Sequence, residues 1–200
     1  MKIKTFFLIV CAIALFFTGC EKDEFFAETA DHAALKSAVK ELPVKLIGSG
    51  YATVTDFAYV EALGDYFPSE GLSGGTITHL GKTQADKSVW HTVSVVPDPD
   101  NFGILLWKQE GDWCAANGDM LHWIIDGTVD MINKKVGGRA IFDGGTGRFK
   151  NATGYFDLNG HVDPDNPAQF IVDSGVGMIS NVGSGKSKDN AWTYKTPMSI

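Results

Sequence analysis

From Leu42 onward, apolar and polar positions alternate over short stretches. In Tyr155-Phe-Asp-Leu-Asn-Gly-His-Val162, Phe156, Leu158 and Val162 fall on one side, and Tyr155, Asp157, Asn159 and His161 on the other. A period of two is that of a strand with one buried face. Leu121, Trp123 and Ile125 share a face in the same way. Runs rich in Val, Ile, Thr and aromatics, split by Gly, Pro, Asp and Asn, predict strands near 43–47, 50–60, 74–82, 88–96, 103–108, 120–130, 136–143, 153–162 and 168–181. No crossover helix separates them, so an antiparallel barrel or sandwich is expected. Glycine-rich strands suit a curved sheet, and closure would remove exposed edges. Asp98-Pro-Asp-Asn101 and Asp163-Pro-Asp-Asn166 each follow a strand and read as turns. Helical spacing occurs only before this region, where Asp31 would cap a short helix over 32–41.

The N-terminus changes the compartment. A basic MKIK start leads into TFFLIVCAIALFF, of signal-peptide length and too short to span a membrane comfortably. Phe17-Thr18-Gly19-Cys20 resembles the lipobox of bacterial lipoproteins, with Phe17 where Leu, Val or Ile is usual. The expectation is a lipoprotein signal over 1–19, lipid on Cys20 as the contact with the membrane, a tether over 20–41, and a barrel over 42–200. The alternatives are an ordinary cleaved signal and a stray hydrophobic N-terminus. Glu21-Lys-Asp-Glu24 resembles the acidic signal that sends some Bacteroidetes lipoproteins to the outer face of the outer membrane; a solvated tether is the bland alternative. Outer-membrane anchorage is therefore expected, with the face left open. Without Lys2 and Lys4, 15 basic residues face 24 acidic ones, a net charge of −9. An acidic domain with no basic run argues against nucleic acid as a partner. Cys114 is the one cysteine outside the signal and lipidation positions, so no internal disulfide is expected.

Asp143-Gly-Gly-Thr-Gly-Arg-Phe-Lys-Asn-Ala-Thr-Gly154 looks like a phosphate cradle. A dinucleotide loop needs G-x-G-x-x-G between a strand and a helix. Here Lys150 holds the third glycine position and an alternating strand follows. The stretch reads instead as a strand connection, with Phe149 free to plug a barrel end. Together with Gly75-Thr-Ile-Thr-His-Leu-Gly-Lys82 and Ala116-Asn-Gly-Asp-Met-Leu121, it resembles bacterial barrel domains similar to allene oxide cyclase and dirigent proteins, over about residues 45–182. The resemblance implies an all-β fold, a single antiparallel β-barrel of about eight strands. The plant cyclase's catalytic residues find no matching motif, and fold analogy does not supply an activity.

Other motifs fail their context. Gly183-Ser-Gly-Lys-Ser187 lacks the leading glycine of a P-loop, since residue 180 is Ser, and an extended Trp192-Thr-Tyr194 follows. Gly71-Leu-Ser-Gly-Gly75 matches G-x-S-x-G, but Pro68-Ser-Glu precedes it and a threonine-rich run follows. His79, His91, His122 and His161 show none of the close spacings of a zinc site. The Asp-Pro-Asp-Asn turns lack a calcium loop's length and terminal Glu. No cofactor, metal or catalytic set is assigned. Trp90, Trp107, Trp113 and Trp123 are the candidate ligand contacts. Trp90 shares a face with Thr92 and Ser94, and Trp107 and Trp113 flank 108–112, which reads as a hairpin turn that would expose both at a rim. A small barrel holds one small apolar ligand or fills with side chains. The expected function is a non-catalytic module for a small hydrophobic ligand. The alternatives are a structural or adhesive surface protein acting through its exterior or as a homo-oligomer, and then an isomerase or cyclase.

Overall fold

The computed structural model describes residues 40–183. The signal, Cys20, nearly all of the tether with its short helix, and Trp192 lie outside the described residues.

Eleven strands run in chain order: β1 (Leu42–Lys45), β2 (Gly50–Val60), β3 (Asp65–Gly74), β4 (Thr76–Ile77), β5 (Gly81–Lys82), β6 (Val89–Pro97), β7 (Ile104–Cys114), β8 (Met120–Asp130), β9 (Lys135–Gly145), β10 (Thr153–Val162) and β11 (Gln169–Ser180). Every pairing is antiparallel. The order β2-β3-β6-β7-β8-β9-β10-β11 closes on itself through β11–β2, giving an eight-stranded barrel. β1 lies on the same edge of β11, against 176–179, while β2 takes 169–172. β4 and β5 form a two-residue hairpin outside the ring.

Alternation sets what faces inward. Along β8, Leu121, Trp123, Ile125 and Val129 are buried, and His122, Asp126 and Asp130 face out or stand half-buried. Along β10, Phe156 is buried opposite the outward Asp157. Both Asp-Pro-Asp-Asn strings are turns, joining β6 to β7 and β10 to β11.

Three stretches differ from the reading of the sequence. Asp65–Gly74 is a full strand despite Pro68 and two glycines. Residues 74–82 are not one strand, because His79 (φ 68°) and Gly81 (φ 74°) turn the chain between β4 and β5. Residues 108–112 are not a turn; β7 runs on to Cys114, with Lys108, Glu110 and Asp112 outward and Gln109 and Gly111 buried. A half-polar run in a barrel wall looks like a turn when only its outward residues are weighed.

The two ends of the barrel are built differently. One carries the tight turns β2–β3, β6–β7, β8–β9 and β10–β11. The other is closed by the three motif segments. Phe149, in a 3₁₀ turn at Gly147–Phe149, is fully buried, and Leu80 is nearly so. Ala116 N–H donates to the Leu80 carbonyl at 3.0 Å, and Met120 N–H to Thr146 Oγ1 at 2.8 Å. Asp119 accepts from Arg148 N–H at 3.2 Å and from Asn117 Nδ2 at 2.7 Å. The glycine-rich stretch thus turns the chain and sets a ring into the barrel end.

Candidate functional site in the barrel lumen

The buried apolar residues form two clusters. The larger, with Trp90, Trp113, Trp123, Phe142, Phe149 and Phe156, fills the plugged end. The smaller, Phe67, Val95, Leu105, Val129 and Val136, closes the hairpin end. Trp107 and Phe170 are partly buried and pack against both. Between the clusters the lumen keeps a cavity of about 100 Å³.

Glycines seat the indoles that line it. Trp90 lies across from Gly71, Trp107 from Gly127 and Trp123 from Gly111. A Cβ at Gly127 would stand 2.8 Å from Trp107 Nε1, and one at Gly111 2.8 Å from the Trp123 ring. At Gly71 it would overlap the Trp90 ring. Large rings cross a narrow barrel only where the facing strand carries no side chain.

The four indoles play different parts. Trp90 donates to the Leu72 carbonyl at 3.3 Å. Its face does not continue to Ser94, because the β6–β7 register shifts between Thr92 and Ser94 and turns Val95 inward. Trp113 is buried and packs against Trp123 (5.5 Å), Phe156 (5.5 Å) and Phe142 (6.0 Å). Trp107 and Trp113 are therefore not rim residues, since the strand that carries them continues through the wall. The indole N–H groups of Trp107 and Trp123 are buried and have no hydrogen-bond partner. A buried donor left unpaired costs about 1–3 kcal/mol.

Gln109, absent from the sequence reading, is the one buried amide of the lumen. Its Nε2 donates to Thr92 Oγ1 at 3.1 Å, and that hydroxyl donates to the Pro68 carbonyl at 2.7 Å. The relay fixes the carboxamide. Its signal was the alternation Trp107, Gln109, Gly111, Trp113, legible once the stretch is taken as a strand. Among the described residues lining the cavity there is no carboxylate, ammonium, guanidinium, imidazole or thiol, and Tyr51 alone carries a titratable group.

Histidines and acids pair outside the barrel. His91 Nε2 meets Glu110 at 2.6 Å, His122 Nδ1 meets Asp112 at 3.3 Å, and His161 Nδ1 meets Asp173 at 2.8 Å. The Asp112 hydrogen bond raises the His122 pKa above its ordinary value; burial opposes this, and the charges of Asp112, Glu110 and Asp143 add to it. Among the described residues no group of three or more His, Cys, Asp or Glu is placed to hold a metal ion. Cys114 is a free, buried thiol whose pKa burial pushes up.

No family model matches the chain, and no curated protein matches it.

Proposed function

We propose that the barrel is a non-catalytic binding module whose lumen takes a small, neutral, mostly apolar ligand. The observation that carries this reading is the cavity between the two core clusters, lined by rings and carrying two unpaired indole donors. An eight-stranded barrel is of the size that holds one small ligand. The volume lies below the roughly 150 Å³ that accepts benzene, so it suits the short alkyl tail of a ligand rather than a whole ring. An ion would enter without a counter-charge, at a large desolvation cost. The same lining offers no acid–base pair, which supports binding over an isomerase or cyclase. The apolar start and Cys20 support a lipid-anchored protein of the outer membrane that presents this barrel in the cell envelope.

The test is a titration of the ¹⁵N-labelled protein with 1-hexanol and with hexanoate. The Trp107 and Trp123 indole N–H signals are expected to shift with the alcohol, while hexanoate binds at least about tenfold more weakly. No shift with either probe would remove the reading.

A second reading places function on the exterior, and one observation favours it. Phe102 is 95% exposed at the β6–β7 turn, near Met131 and Ile132 of the next hairpin, at 44% and 63%. Such a patch fits self-association. It predicts an oligomer by light scattering that Phe102→Ser dissolves; a monomer at all concentrations would contradict it.

A further inference from the structure

We infer that the ligand enters the lumen sideways, through an open seam between β3 and β6. This rests on the lumen reading and adds its route. β3 and β6 pair only at Glu70–His91, Gly71–Trp90 and Leu72–Val89. Beyond Glu70 each strand keeps its other neighbour, since β2–β3 pairing continues to Asp65 and β6–β7 pairing to Pro97. The wall is therefore unzipped over half its height. A groove of about 520 Å³ occupies the gap, a volume within the range of small-molecule sites.

The sequence explains the opening. Pro68 has no N–H to give a ladder, and proline in a sheet sits at edges and bulges. Its carbonyl accepts from Thr92 Oγ1 of β6, a side-chain bond across the head of the seam where ladder bonds would otherwise run. The register shifts at 54–57 in β2 and 92–94 in β6 lie beside the seam and bend the strands there. The groove is walled by Ala58, Val60, Val93 and Val96, with Ser69 Oγ buried and unpaired.

Three observations favour a small neutral molecule as the occupant. Phe67 and Pro68 line both the groove and the lumen cavity, so they form the partition between the two. Both barrel ends are packed with buried apolar side chains. Glu61 is the one charged residue of the groove and disfavours anions. An extended peptide fits less well, because the β3 edge offers no donor and no free carbonyl at Pro68.

The test measures 1-hexanol exchange at the Trp123 indole N–H by NMR relaxation, in the full chain and in Ser69→Phe and Val93→Phe. Both substitutions fill the groove without touching the lumen. Association and dissociation are expected to slow by about tenfold together, with affinity nearly unchanged, as for a gated path. Unchanged indole shifts without ligand show that the variants are folded. Unchanged rates in both variants would overturn the entrance and leave the lumen site standing. Shifts confined to groove residues, or a co-purified peptide protecting the amides of 93–96, would also overturn it. If 1-hexanol moves neither lumen indole in the parent protein, the lumen reading fails and the entrance with it.

Discussion

Gly147 has φ of +51°, and a Cβ there would overlap the Asp119 carboxylate that holds the plug loop. Gly147→Ala therefore meets both backbone strain and a collision, and is expected to cost about 1–3 kcal/mol in chemical denaturation; a change within error would contradict the account of the loop. His122 gives a pH-dependent prediction. Its folded pKa is raised by Asp112, so its stabilising contribution is fully present below the unfolded value of about 6.5 and is lost as pH rises through the higher folded value. An NMR titration should show a midpoint above the ordinary one, and His122→Gln should flatten stability across that window. A midpoint at or below the ordinary value would refute the pairing. Cys114 is 1% exposed with its pKa pushed up. A water-soluble thiol reagent should label it only as the protein unfolds, and labelling at native rates would contradict its burial.

At the scale of elements, the all-β class and most strands were legible because alternation survives wherever one face is packed. Trp123 and Phe156 sat on apolar faces in the sequence, and both are buried. Gly111 was read into a turn at 108–112, but it makes room for the Trp123 ring of the neighbouring strand, as Gly71 and Gly74 do for Trp90 and Tyr51. A lone sequence does not distinguish a glycine that turns the chain from one that makes room for an indole. Pro68 misled in the same way, since it marks a strand whose ladder ends rather than a loop. The candidate site was half legible: its indoles were named, while Gln109 and the seam depended on strands not recognised. Phe149→Ala removes a fully buried ring and is expected to cost about 3–5 kcal/mol. If Phe149→Ala melts with the parent, the plug contributes no packing.

At the scale of the molecule, an eight-stranded ring must either fill its lumen or admit something into it. Here two packed clusters stop the ends, and a lined gap remains between them. The acidic surface, the apolar lumen and the lateral groove fit the proposed binding of neutral molecules. The most direct test is native mass spectrometry of the protein purified from its own cells. The account predicts a small neutral molecule that travels with the folded chain and is released on denaturation. A folded protein found only at its bare mass would contradict it.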